Sequence, residues 1–144
     1  MKYLKIYEVL YKASNAAATE EKIAILKEND SLALRDVLRA SFDDSIIFTL
    51  PAGIPGYKSA LSNEGLAPTD LRRVTTHFTY FVKGGEGEKL KPAKRESMFM
   101  AILEGVHPED ANVVCQMKEK TLGTKFPGIT KDLVKTVWPK LIAK

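Results

Sequence analysis

The sequence predicts an all-α protein, a compact bundle of seven to eight short helices in a single domain. Three observations lead to this fold class. Apolar residues recur at spacings of three and four along most of the chain, which is the period of an amphipathic helix. Residues that typically begin or end helices, such as Ser, Thr and Pro, bound these segments. The 144 residues suit one domain with a real core, and no internal repeat divides them.

The first three helices are expected to follow one another closely. One helix is expected over residues 3–13. Thr19 is expected to cap a second helix that ends near Asn29, because a Thr hydroxyl can accept a hydrogen bond from a first-turn N–H. Asp30 or Ser31 caps the third helix. The apolar faces of the first and third helices are formed by Leu4, Tyr7, Leu10, Tyr11, Leu34, Val37, Leu38 and Phe42.

Residues 42–57 are the least helical part of the chain. Within them, residues 45–50 could be a short strand or one more buried turn of helix, since periodicity cannot decide at this length. Residues 50–57 form a turn-rich loop that either packs on the body or binds a partner. Thr69 is then expected to cap a helix that continues to about residue 83. Residues 84–89 follow as a flexible break, without the Gly-Lys-Ser/Thr of a nucleotide-binding loop.

Three longer helical segments are expected in the C-terminal half. Pro92 suits the first position of one helix, and His107 with the proline after it is typical of a cap followed by a first-position proline. Thr130 is expected to cap the last helix, which Pro139 ends and which Trp138 anchors in the core. The core faces of these helices are formed by Met98, Phe99, Ile102, Leu103, Val106, Ala111, Val114, Met117, Leu133, Val134 and Val137.

The charge of the chain is unevenly placed. Residues 1–70 carry 8 basic and 10 acidic side chains and residues 71–144 carry 14 and 8, so the halves have net charges of −2 and +6, which sum to +4. This asymmetry predicts an anionic partner for the C-terminal half, although exposed lysine faces are also common on helical proteins. Arg35 and Arg39, four apart on one helix side, could be a solvated edge or a phosphate contact.

The composition also disfavours several classes of function. No apolar run approaches the roughly 20 residues that a membrane helix needs. The first ten residues mix charges with apolar side chains, so we expect no signal peptide and a cytoplasmic location. The single cysteine, Cys115, lies in an apolar run and is expected to be buried and inert. Two separated histidines and one cysteine predict no metal site, and no cofactor is expected.

Residues 117–142 carry the main candidate for a functional site. Lys118 and Lys120 close a basic helix end, and a Gly/Pro loop then leads to the helix start at Thr130. Such a start offers free N–H groups and the positive end of the helix dipole, which suit a phosphate. The nearby lysines are Lys125, Lys131 and Lys135. The alternative is a terminal helix that simply docks on the core, with solvated lysines.

Two parts of the chain resemble a known family. Residues 137–142, Val-Trp-Pro-Lys-Leu-Ile, are similar to the Val-Trp-Pro-x-Leu-Ile signature that closes the N-terminal DNA-binding domain of the T-even phage type of ATP-dependent DNA ligase. Residues 19–37 are similar to the opening helices of that domain. The order matches from residue 6 to residue 142, apart from residues 49–91, which are longer here. The chain also resembles an uncharacterised family of small stand-alone proteins of T-even-like phages.

The resemblance implies the ligase-type bundle of helices and a DNA-gripping domain without the enzyme. The Lys-x-Asp-Gly motif that forms the nucleotide adduct in ligases is missing, and the chain ends where their catalytic domain would follow. We therefore expect a non-catalytic, monomeric phage protein that binds duplex DNA through phosphates with little sequence preference. By position, the resemblance carries over Lys118, Gly128, Thr130 and Lys131. Charge and helix-start geometry add Lys94, Arg95, Lys120, Lys125 and Lys135.

The second hypothesis is a protein-interaction module, an adaptor or inhibitor that docks on a replication protein or a host protein. The loop of residues 50–57 would be its contact. One continuous basic face joining residues 94–95 to residues 118–131 would favour DNA as the partner. Scattered lysines beside an exposed apolar loop would favour a protein.

Overall fold

A computed structural model of the chain describes residues 4–51, 53 and 70–142, with the side chain of Arg72 left out. The described residues form an all-α fold, which confirms the predicted class. Their extended pairing is limited to one isolated antiparallel bridge, between Phe48 and Val82. The α-helices are α1 Ile6–Asn15, α2 Thr19–Glu28, α3 Leu32–Phe42, α4 Pro92–Gly105, α5 Pro108–Glu119, α6 Leu122–Lys125 and α7 Lys131–Val137. Three 3-10 helices, Leu71–Arg73, Thr75–Phe81 and Glu86–Lys89, lie between α3 and α4.

The centre of the fold is α5, which packs against α1, α3, α4 and α6. It is surrounded because its apolar residues do not keep to one stripe. Val113, Val114 and Cys115 are consecutive and all buried, so they face neighbours on different sides of the helix. The predicted inward residues Ala111 and Met117 are fully buried as well.

α7 is a peripheral helix that lies on α2. Leu133, Val134 and Val137 are buried and form its inner face, as predicted. α7 also runs antiparallel to α3. Its first residue, Lys131, meets Asp44 just beyond the end of α3, and the residues after its last turn line a groove with Arg35 in the first turn of α3.

Local hydrogen bonds confirm the predicted caps at Ser31 and His107. The hydroxyl of Ser31 accepts from the N–H of Leu34, and Nδ1 of His107 accepts from the N–H of Glu109, both at 3.1 Å. Pro92 occupies the first turn of α4. The prediction for Thr19 is wrong, because it lies inside α2 and the N-cap is Ala18, which offers no side-chain acceptor.

Residues 71–81 form 3-10 helices where one α-helix was expected. β-Branched residues lose side-chain freedom in an α-helix, and Val74, Thr75, Thr76 and Thr79 crowd this stretch. The buried side chains Thr75, Phe78 and Phe81 are three apart, which is the 3-10 period. Thr69, the expected cap, lies outside the described residues.

The predicted break over residues 84–89 is in fact partly ordered. Glu86–Lys89 is a 3-10 turn, and Gly87 is buried so close to the backbone of Tyr80 that a Cβ atom would lie 1.8 Å from its carbonyl oxygen. Residues 45–50 contain no helix and no strand longer than a single bridge residue. They are held by the N–H of Thr49, which donates to the carbonyl of Phe81 at 2.7 Å. Most of the loop 50–57 lies outside the described residues.

Candidate nucleic-acid interface

The end of α5 holds the first group of predicted DNA contacts, and its two lysines donate to backbone carbonyls of other segments. The ammonium group of Lys118 donates to the carbonyl oxygens of Pro51 and Gly53, both at 2.8 Å, and forms an ion pair with Glu119. Its side chain is only 3 % exposed. The carboxylate of Glu119 accepts from the N–H of Gly53 at 3.0 Å, and the hydrogen bond with Lys118 lowers its pKa. Lys118 therefore holds Pro51 and Gly53 and presents no charge to a ligand.

Lys120 ends α5 in the left-handed conformation, with φ of 63°. Its ammonium group donates to the carbonyl oxygens of Ala40 and Asp43 and lies 5.7 Å from the centre of the Phe48 ring. Burial of this group lowers its pKa, which is the expected cost of removing an ammonium ion from water. Lys120 thus donates to carbonyl oxygens in and just after the last turn of α3.

The loop between α6 and α7 is fixed on the end of α1. The hydroxyl of Ser14 donates to the carbonyl of Pro127 at 2.6 Å. Gly128 is exposed, with φ of +91°, and its Cα lies against Lys22, whose ammonium donates to three carbonyls at the end of α1. Lys125 places its ammonium 5.6 Å from the centre of the Tyr11 ring, and this contact raises its pKa. The predicted loop is therefore ordered, with α6 inside it.

The start of α7 has the cap that the sequence predicts. The hydroxyl of Thr130 accepts from the N–H of Leu133 at 3.1 Å. Lys131 forms an ion pair with Asp44 at 3.2 Å, and the Asp44 side chain is 89 % exposed. Lys135 is half-buried, and no partner of its ammonium group is found among the described residues. Lys131 and Lys135 are four residues apart, so they share one side of α7.

Lys94 and Arg95 belong to another part of the surface. α4 packs on α5 and on the second 3-10 helix, whereas α7 lies on α2. Lys94 is exposed in the first turn of α4, but Arg95 turns back and donates to the carbonyls of Gly87 and Leu90 at 3.1 and 2.6 Å. Among the described residues, Arg95 and Lys118 bind backbone carbonyls, so they do not link residues 94–95 to residues 118–131 as exposed charges.

A groove at the end of α7 was not predicted from the sequence. It encloses about 430 Å³ and is lined by Arg35, Val137, Trp138, Pro139, Lys140 and Leu141. Trp138 is half-buried, packed on the core at one side and open to the groove at the other, so it is a weaker anchor than expected. Pro139 is the signal in the sequence that could have indicated this, because the chain must leave the helix at that point. Arg39 does not line this groove but another, beside Thr75.

Asp110 is a buried carboxyl in the first turn of α5. It is fully buried, and its Oδ1 accepts from the N–H of Tyr7 at 3.0 Å, while Oδ2 has no hydrogen-bond partner. Burial raises its pKa to about 6. Asp110 thus caps the start of α1 from the start of α5. The same helix buries Cys115, as predicted, and burial raises the pKa of that thiol to about 11.

Other kinds of site are not found in the part of the chain that the structure covers. No group of three or more His, Cys, Asp or Glu side chains there could hold a metal ion. None of the helices described there is long and apolar enough to span a bilayer.

Comparison with known proteins assigns the chain to a family. Residues 9–124 match the model of a family of unknown function, DUF6433, and the chain belongs to this family. No curated protein matches it. The family model names neither a ligase nor a DNA-binding activity, and it ends before α7.

Proposed function

We propose that this member of the DUF6433 family is a non-catalytic phage protein that binds duplex DNA in the bacterial cytoplasm, through phosphates and with little sequence preference. The observation that carries the proposal is the charge of the C-terminal segment. Residues 120–142 contain five lysines and a single acid, Asp132. Non-specific binding needs only lysines placed to neutralise phosphates, with release of condensed counterions.

The proposed contact surface is the outer side of α7 together with the loop before it. Lys131 and Lys135 supply the charge, and the exposed Gly128 lies in the loop just before them. Asp44 neutralises Lys131 in the free protein. An exposed ion pair contributes little free energy, typically about 0–1 kcal/mol, so a phosphate can displace the carboxylate. The likeness of residues 137–142 to the closing signature of the ligase domain supports the same surface.

Several predicted contacts are left out of this surface on structural grounds. Lys118, Lys120 and Arg95 already donate to backbone carbonyls, and moving them to DNA would break those bonds. Lys125 is held over Tyr11 and could contribute only from the margin. Lys94 is exposed, but its helix α4 packs on α5 and the second 3-10 helix, whereas α7 packs on α2. The proposal therefore rests on Gly128, Thr130, Lys131 and Lys135.

The test is duplex binding by fluorescence anisotropy over a series of salt concentrations. We expect log affinity to fall linearly with log salt, with a slope near −0.9 for each phosphate neutralised. The double variant Lys131→Gln/Lys135→Gln should weaken binding to every duplex and reduce the slope by about two. The neutral amides remove charge without adding repulsion.

The matched control is Lys12→Gln/Lys27→Gln. These are two exposed lysines in the last turns of α1 and α2, in the acidic half of the chain. This variant should keep both the affinity and the slope. Equal losses in the two double variants would remove α7 as the contact, and a strong preference for one sequence would contradict non-specific binding.

The second candidate function is a protein-interaction module. Two observations favour it. Arg95 and Lys118 bind backbone carbonyls instead of joining one basic face. Ile47 is 52 % exposed and lines a groove with Ile46, Phe48 and Leu50, together with the charged residues Asp44, Lys118, Glu119 and Lys120. Absence of duplex binding at low salt would favour this candidate over DNA. A variant Ile47→Ser, with the α7 lysines intact, would then be the first one to test against a replication or host protein.

A further inference from the structure

The groove at the end of α7 combines an aromatic ring with cationic side chains. We propose that it binds an unpaired base of a single-stranded nucleic acid, with the ring of Trp138 as a stacking platform and Arg35 and Lys140 facing the adjoining phosphates. This inference rests on the proposed function and extends it from the duplex backbone to a single-stranded end.

The backbone at the end of α7 opens one side of the indole ring. Trp138 is the C-cap residue, with φ of −131° and ψ of 84°, and Pro139 directs the chain away from the helix axis. The side chain of Trp138 is half-buried: it packs against the core and also lines the groove. Val137 and Leu141 complete the apolar lining. The volume of about 430 Å³ falls in the range of roughly 300–1,000 Å³ that is typical of sites for small organic groups.

The rim of the groove is cationic. Nε of Arg35 lies 2.9 Å from Oδ1 of Asp30, an ion-pair distance without hydrogen-bond geometry, and the side chain remains 39 % exposed. No partner is described for its two terminal nitrogens, whose planar fork suits a phosphate. Lys140 is exposed on the other rim, also without a partner among the described residues. Arg35 and Lys140 outnumber the single carboxylate of Asp30, so the rim attracts an anion. Trp138 and the apolar lining favour an anion that carries a flat apolar group.

The groove continues the lysine stripe of α7. At about 100° per residue, Lys131, Lys135 and Trp138 lie within about 60° of one another around the helix. Asp132 and Thr136, which are exposed, lie next to this stripe on the side away from Trp138. A strand whose phosphates pass Lys131 and Lys135 therefore reaches the indole ring next. This combination of a basic track and a stacking ring is how proteins bind single strands without reading their sequence.

The fluorescence of Trp138 reports directly on the groove, because it is the only tryptophan of the chain. The probes are an oligothymidylate, a blunt duplex and the same duplex with a thymidine overhang. We expect quenching by the oligothymidylate and by the overhang, and little by the blunt duplex. An oligothymidylate that fails to bind, or that binds without changing the fluorescence, overturns the proposal.

Variants at the ring separate stacking from packing. Trp138→Leu keeps an apolar side chain without a π-face and should weaken oligothymidylate binding roughly 5- to 100-fold, the range for loss of one stacking side chain, with blunt-duplex affinity nearly unchanged. Trp138→Phe should keep most of the single-strand affinity. Equal affinity of the Leu and Phe variants for the single strand overturns the stacking role.

The variants also separate this proposal from the previous one. Thermal unfolding checks each variant, since the ring is half-buried. If Trp138→Leu does not fold, Arg35→Gln/Lys140→Gln, which leaves the ring in place, should weaken oligothymidylate binding at least several-fold, and wild-type affinity overturns the proposal. Quenching by single strands without binding of blunt duplex refutes the duplex proposal alone. Duplex binding with no response to single strands refutes the groove alone.

Discussion

The helices α5 and α7 are both rich in charged residues, and they use them in opposite ways. α5 buries a charged group near each end, Asp110 and Lys118, where each is bound to backbone atoms of a distant segment. α7 leaves Lys131 and Lys135 half-buried at its surface, next to the exposed Asp132 and Thr136. The cause is position, because four helices surround α5 whereas α7 lies at the edge of the fold on α2. The comparison teaches that the position of a helix in the fold decides whether its charged side chains are used inside the protein or stay at the surface.

The largest expected effect is the loss of stability when Lys118 is replaced. Lys118→Met removes the donor for two carbonyls and the partner of Glu119, and it should lower the free energy of unfolding by about 2–4 kcal/mol. Lys135→Met, on α7, should change it by no more than about 0.5 kcal/mol. Urea denaturation of both variants measures the difference. Similar values for the two would remove the contrast between the helices.

The other buried charge of α5 makes stability depend on pH. Burial raises the pKa of Asp110 from 3.8 to about 6, so the folded protein binds this proton more tightly than the unfolded chain does. Its contribution to stability is complete below about pH 4 and is lost as the pH rises towards 6, by at most about 3 kcal/mol. The N–H of Tyr7 opposes the shift, and the charges of Lys5, Glu8 and Asp70 act nearby.

The variant Asp110→Asn isolates this contribution. Its amide oxygen can still accept from the N–H of Tyr7, but it cannot ionise. The stability of the variant relative to wild type should therefore rise between pH 4 and pH 7, as measured by denaturation at each pH. A constant difference over that interval would mean that Asp110 ionises normally in the folded protein.

The smallest expected effect is a gain of DNA binding at the start of α7. Asp44→Asn removes the carboxylate that pairs with Lys131 at 3.2 Å, and it should tighten duplex binding by about two- to five-fold at low salt. A misfolded variant would not bind duplex DNA more tightly, so a gain in affinity tests the proposed surface directly. The matched control is Glu96→Gln, which removes an exposed carboxylate on α4 and should leave duplex affinity unchanged. Unchanged affinity in Asp44→Asn would mean that Lys131 does not meet a phosphate.

The features that the sequence predicted well depend on neighbours along the chain. Ser31, His107 and Thr130 cap helices through bonds that span two or three residues, so the local pattern contains all the information. Lys118 depends on Pro51 and Gly53, which are 67 and 65 positions away, and no local rule places them beside it. Asp110 is similar, since its partner Tyr7 is 103 positions away.

The helix type in the middle of the chain was wrongly predicted and the groove was not predicted at all. The reason differs from that for Lys118 and Asp110. Residues 71–81 have spacings that fit both a 3-10 helix and an α-helix, and only the crowding of β-branched residues favours the former. The groove at Trp138 needs Arg35 from α3, so it exists only when two separate helices pack antiparallel. The residue types alone indicated a charged side chain at Arg35 and an aromatic one at Trp138. They did not indicate that the two line one groove.

Because Cys115 is buried, the rate of its alkylation reports how often the core of the protein opens. The chain has a single thiol, and with a pKa near 11 and almost no exposed surface it is almost entirely unreactive in the native state. Alkylation can then proceed only through conformations in which α5 separates from its neighbours. The rate at which a thiol reagent consumes the protein therefore measures how often the central helix leaves the core, residue-specifically and without any added label.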